Sequence, residues 1–322
     1  MSTAFNISRE LFVIYLHLPY FISVRTQLHK VNQDYPLKSG QILKLVLILS
    51  VINPIAFAQD SSYYHSDVSW HQMFTRIPSD YVGFFHSAFS SEHSSTLITV
   101  GALTGSLWFV DQTTWKNTNL LFKKSNVEHY LSDYTIKIGD GKYQFISAAL
   151  FAVPGLVFND KTAVRTGSNI VEAVISTGLF VQVLKRMTGR QSPAASTEKA
   201  GDWTPFPSLT TYQKDQPAFY SFPSGHLSSA AAVLTVIANN YPDQNWIRPV
   251  SYPLLGLLGV SLVSKGMHWY SDFPLAFLIG HSFGNIIAPE KTLISHSNEN
   301  SSLTIFPALS YNGMNLGLSY SF

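Results

Sequence analysis

Three short segments of the chain hold side chains that together could cradle an oxyanion such as phosphate. The central one is Phe222-Pro223-Ser224-Gly225-His226, which opens onto the small-residue run Leu227 to Ala238. It offers a fixed φ, a hydroxyl, an unobstructed backbone N–H and a titratable imidazole beside a helix N-terminus, a combination that suits an oxyanion. The second segment, Lys185-Arg186-Met187-Thr188-Gly189-Arg190-Gln191-Ser192-Pro193, brings cations to the end of an apolar run. The third, His268-Trp269-Tyr270-Ser271-Asp272, follows an imidazole with a carboxylate. Taken singly, each has an ordinary reading. Ser-Gly is a common turn before a helix, Lys-Arg at a helix C-terminus complements the dipole, and His-x-x-x-Asp can be a surface pair. Their order and their placement at helix ends unite them.

Lys-x6-Arg-Pro, Pro-Ser-Gly-His and Ser-Arg-x5-His-x3-Asp, in that order, form the signature of the type 2 phosphatidic acid phosphatase superfamily. That superfamily includes bacterial acid phosphatases and vanadium haloperoxidases, and the chain resembles a member from about Phe84 to Pro289. Lys185, Pro193, Pro223, Ser224, Gly225, His226, Ser261, His268 and Asp272 fall on the pattern. Ser192 and Leu262 depart from it, standing where the pattern has arginines that hold phosphate oxygens. Arg190 or Lys265 is left to reach the same anion from another anchor point, and Arg190 is the better placed because Gly189 frees its backbone.

The resemblance implies a compact bundle with a six-helix core and a two-step transfer. His268 attacks phosphorus as a neutral imidazole oriented by Asp272, and protonated His226 serves the leaving group before activating water. Lys185, Arg190, Ser224 and Gly225 stabilise the equatorial oxygens. No cofactor is implied. With His226 protonated and His268 neutral at once, a bell-shaped, mildly acidic pH optimum is expected. Substrates would be phosphate monoesters or lipid phosphates. The alternatives are a vanadate-dependent haloperoxidase, disfavoured by the missing arginines, and a degenerate, non-catalytic phospholipid-binding envelope protein, disfavoured by the intact His226, His268 and Asp272.

The elements that must position these residues read as helices. Six apolar stretches, Leu97 to Val110, Phe145 to Phe158, Ile170 to Leu184, Leu227 to Ala238, Tyr252 to Ser264 and Phe273 to Ile287, are rich in Ala, Gly and Leu and lack strict alternation. An all-α fold follows. Asn169 with Glu172 resembles a capping box opening the third stretch, and Asn239-Asn240-Tyr241-Pro242 reads as a stop for the fourth. Thr188 to Phe222, with four prolines, is a long loop of the kind that serves as a lid. Gly280-x-x-x-Gly284 permits a close helix crossing. Uninterrupted apolar runs are shorter than a bilayer core requires, so buried core helices fit slightly better than spanning ones.

Composition bounds the rest. A chain of 322 residues with 46% hydrophobic and 12% charged residues can bury a substantial core. Its net charge of +2 is scattered, which argues against nucleic acid as a partner, and the absence of cysteine excludes thiolate chemistry and Cys-ligated zinc. The other histidines, His281 among them, lack ligand spacing, so no metal site is assigned. Lys38 to Ala58 has the basic region, short apolar run and small-x-small site of a secretory signal, with cleavage expected after Ala58 and export to the periplasm or envelope. A membrane anchor with Leu11 to Val24 as a second arm is the competing reading. The expected organisation is therefore an N-terminal extension and signal over 1–58, a helical phosphatase domain over 59–289, a linker over 290–302, and a β-hairpin over 303–322 turning on Asn312-Gly313.

Overall fold

The structure, a computed structural model, describes residues 72–123, 127–196 and 200–289, together with the backbone of strands 302–310 and 313–321. The expected signal segment and the linker up to residue 301 lie outside the described residues. The helical residues and the strands fall in separate units. Among the described residues the first holds ten α-helices: α1 (Gln72–Thr75), α2 (Ile77–Ala88), α3 (Ser94–Lys123), α4 (Val127–Gly139), α5 (Gly141–Phe158), α6 (Lys161–Thr188), α7 (Leu209–Lys214), α8 (Gly225–Asn240), α9 (Ile247–Ser264) and α10 (Phe273–Ile287). In the second, β1 (Ser302–Ser310) pairs antiparallel with β2 (Gly313–Ser321), from Ser302 opposite Ser321 to Ser310 opposite Gly313.

Each of the six apolar stretches lies within a helix, and α8 is the one the others surround, packing on α6, α9 and α10. Its Ser and Ala side chains are short, so neighbouring backbones come close. A Cβ on Gly280 of α10 would sit on the Ser228 carbonyl oxygen of α8. The Gly-x-x-x-Gly pair therefore serves a crossing inside the bundle. Around it, Ile170, Val181, Val236, Ile279 and Phe283 form the apolar core, with Phe84 stacked on Phe283 at 4.7 Å.

Local signals explain the helix ends, with one correction. α6 starts at Lys161, where Asp160 accepts hydrogen bonds from the N–H groups of Thr162 and Ala163. Asn169 and Glu172 are buried mid-helix residues and form no capping box, because the short polar stretch before them, Lys161 to Ser168, continues the same helix. The far end of α6 closes at Gly189, in the left-handed region at φ 55°, with its N–H on the Lys185 carbonyl. That stop leaves Lys185 in the last turn. α4 was not expected: Val127-Glu-His-Tyr-Leu-Ser-Asp-Tyr-Thr-Ile-Lys-Ile-Gly is too polar to stand out as an apolar run.

Among the described residues, three helices, α5, α6 and α9, are long and apolar enough to cross a membrane. α5 turns Leu150, Val153, Leu156, Val157 and Phe158 outward, each more than half exposed.

Candidate functional site

The site forms where the end of α6, the start of α8 and the segment before α10 meet. Phe222-Pro223 is a cis peptide, and after it Ser224 caps α8, its Oγ accepting from the Leu227 N–H. The N–H groups of Gly225 and His226 lie in the first turn, where a helix leaves donors without internal partners. A Cβ placed on Gly225 would be 3.6 Å from Lys185 Nζ, so the ammonium lies against this turn. The same ammonium sits 4.9 Å from the centre of the Tyr220 ring. Tyr220 in turn meets the His268 ring at 6.0 Å, and the His226 and His268 rings are 6.4 Å apart. Lys185, Ser224, Gly225, His226 and His268 are thus brought together.

His268 is fully buried and its two nitrogens have different surroundings. Nδ1 is 3.3 Å from Asp272 Oδ2, whereas Nε2 has no hydrogen-bond partner. Asp272 is an acceptor four times over: Oδ1 receives Arg190 Nη1 at 2.6 Å, and Oδ2 receives Ser221 Oγ at 2.6 Å, the Trp269 N–H at 2.8 Å and His268 Nδ1. Burial pushes this carboxyl up, but Arg190 and the hydrogen bonds outweigh it and hold the group below its ordinary value. An ionised carboxylate can only accept, so the proton of the neutral imidazole resides on Nδ1 and the Nε2 lone pair is free. Burial also lowers His268 below its ordinary value, against the pull of Asp272, which keeps the ring neutral.

Arg190, expected as a phosphate ligand, is placed elsewhere. Its Nη1 donates to Asp272 and Ser271, its Nη2 to Asp111 at 2.8 Å and to the Ala200 carbonyl, and its Nε to the same carbonyl. All five N–H groups of a guanidinium are therefore spent within the protein. The rings of Trp203 and Trp269 flank it at 4.9 and 5.5 Å, and the side chain is completely buried. Its geometry is that of a clamp on Asp272. Lys265 does not reach the site either, since it pairs with Asp133 at 2.9 Å on the surface. Leu262 is fully buried, and Ser192 is buried with its hydroxyl unpartnered. Ser261, by contrast, receives the Thr135 hydroxyl and donates to the Leu257 carbonyl.

His226 differs from expectation in charge. Burial first, then His268 and Lys185, hold it down to about 4, with Asp140 opposing them. Held down in this way, the ring is neutral near pH 7. His281 has a packing role: it stacks on Phe277, Nδ1 meets Thr235 Oγ1 at 3.2 Å, and Nε2 meets Asn285.

Several site residues escaped the sequence reading. Asp111 of α3 holds Arg190 Nη2 and both the N–H and the hydroxyl of Ser271. Its one signal is a carboxylate following directly on an apolar run. Tyr220 and Ser221 immediately precede the Pro-Ser-Gly-His turn, yet nothing in their types marks them. Gly139 ends α4 against His226, where a Cβ would lie 2.6 Å from His226 Cβ.

Residues 167–289 match the family model of the PAP2 superfamily, and the chain carries a domain of that superfamily over this range. Members of the superfamily are typically phosphatases, which supports a phosphoester-hydrolase kind for the domain. The match takes in most of α6 and all of α8, α9 and α10, while Asp111 and Gly139 lie before it. No curated protein and no solved structure matches the chain.

Proposed function

We propose that the chain is an exported, membrane-associated phosphatase that hydrolyses phosphate monoesters or lipid phosphates through a phosphohistidine on His268. The observation that carries the reading is the state of His268: fully buried, with Nδ1 on the Asp272 carboxylate and Nε2 unpartnered beside His226 and Lys185. A nucleophile needs that division of its two nitrogens. His268 Nε2 attacks phosphorus, His226 manages the proton of the leaving oxygen and then of the attacking water, and Lys185, Ser224 and the Gly225 N–H stabilise the phosphoryl oxygens. The apolar outward face of α5 supports association with lipid, and residues 303–322 are read as an accessory hairpin.

Purified protein should release phosphate from p-nitrophenyl phosphate or phosphatidate, and brief incubation with labelled substrate should leave acid-labile label on the protein. His268→Ala should lose both signals while keeping its helical circular dichroism. Turnover by the His268→Ala protein would refute the assigned nucleophile. Ser192 and buried Leu262 favour one competing reading, a non-catalytic binder of phosphorylated lipids, which predicts lipid-phosphate binding with no phosphate release.

A further inference from the structure

The cations around the pocket can be counted by their partners. Arg190 is matched by Asp272 and Asp111 and has no N–H left to offer. Arg186, one residue beyond Lys185, lies over the Tyr212 ring at 3.9 Å, and Lys265 is paired with Asp133. Of the groups facing His226, Lys185 from α6 is positive, Asp140 from the start of α5 is negative, and His268 is a neutral ring. Lys185 is buried, lies against Gly225 and makes no ion pair among the described residues. Among the described residues, the pocket therefore offers an incoming anion one unspent positive charge, together with neutral donors.

We propose that this pocket selects a phosphomonoester carrying a single negative charge, the form that keeps a proton on a phosphoryl oxygen, over the dianion. The inference rests on the hydrolase reading and names the ionic form of its substrate. A second negative charge among these buried groups would lack a counter-charge, and an unpaired buried charge is heavily penalised. The protonated form also supplies what the neutral His226 lacks. His268 Nε2 forms the N–P bond as the ester P–O bond breaks. The proton on the phosphoryl oxygen passes through His226 to the leaving oxygen, and the alcohol departs neutral. Water then attacks phosphorus, the N–P bond breaks, and the proton that His226 takes from water is returned to the departing phosphate.

Two tetrahedral oxyanions of similar size, perrhenate (charge −1) and tungstate (charge −2), probe the charge preference without any turnover. Calorimetric titration of the full chain in detergent near neutral pH should find perrhenate bound at least about tenfold more tightly than tungstate. Lys185→Met should lose perrhenate binding, with thermal unfolding confirming that the variant is folded. Tungstate binding as tightly or more tightly, or no binding of either ion, overturns the proposal. The outcomes separate it from the hydrolase reading. Preference for perrhenate without any ester hydrolysis would sink that reading and leave the charge preference standing, whereas hydrolysis with preference for tungstate would sink the charge preference alone.

Discussion

Arg190 donates from Nη1 to Asp272 Oδ1 across 2.6 Å, and neither side chain has exposed surface. The link makes Arg190 a positioning residue, acting on His268 through Asp272. Arg190→Lys should lower kcat for p-nitrophenyl phosphate on the order of 100-fold, as expected when a nucleophile loses its orientation, with KM changed little. Destabilisation of about 3 to 5 kcal/mol is expected too, because Asp272 and Asp111 would be left buried without a matched partner. Ser221→Ala removes one bond to the same carboxylate and gives a milder version of the effect in a protein expected to fold. A rise in KM at constant kcat would instead make Arg190 a phosphate ligand.

Two buried histidines should contribute a pH-dependent share of the stability. His226 and His281 are both held down to about 4 from an ordinary 6.5, chiefly by burial. The unfolded chain therefore takes up protons before the folded one as the pH falls. The histidine contribution is fully present above about 6.5 and is lost as the pH falls towards 4. Asp80 and Glu172, raised to about 6 and about 8 chiefly by burial, act in the opposite sense over the same range, so the histidine share is read by difference: the melting temperature of His281→Gln should rise relative to that of the parent protein as the pH falls from about 6.5 to about 4. A difference that does not change across the window would rule this out.

Activity should fall on the alkaline side. A neutral His226 leaves the substrate to bring the proton, and a phosphomonoester loses its second proton near pH 6. kcat/KM for p-nitrophenyl phosphate should therefore decline about tenfold per pH unit well above that value. A plateau extending to alkaline pH would show that the proton comes from the protein.

Gly139 should be intolerant of a side chain for a reason specific to the site. Its Cβ would lie 2.6 Å from His226 Cβ and 2.7 Å from the His226 carbonyl oxygen. Gly139→Ala should push α4 and the start of α8 apart and reduce kcat at least about tenfold. Gly105→Ala is the control. Nothing lies within 4 Å of that position in α3, so it should gain up to roughly 1 kcal/mol of stability without loss of turnover. Equal activity of the two variants would argue against the Gly139 contact.

Gly280 tests the bundle. Alanine there would collide with the Ser228 backbone and come 2.9 Å from the Ala231 side chain, so α10 must move off α8. Gly280→Ala should cost about 1 to 3 kcal/mol, the scale of overpacking, and lower the denaturant midpoint measured by circular dichroism. An unaltered midpoint would mean that the crossing is looser than described.

Much of this protein is written in its chain order. The apolar, small-residue runs determine the helices, because a stretch without polar breaks buries itself best when its backbone bonds are satisfied internally. Lys185, Ser224, Gly225, His226, His268 and Asp272 are recognisable from their types and spacing at helix ends. Partnership across space is different. Arg190 could be read as a phosphate ligand because it stands two residues from the expected position, yet a cation's role follows from the carboxylates it meets. Asp111, 79 residues earlier, reaches it only because α3 packs beside the segment before α10. The charge of His226 was likewise decided by burial and by Lys185 and His268, which no spacing along the chain measures. Sequence determined which groups the site has; tertiary packing decided which of them remain unspent, since only packing sets the distances and the loss of water that fix each charge.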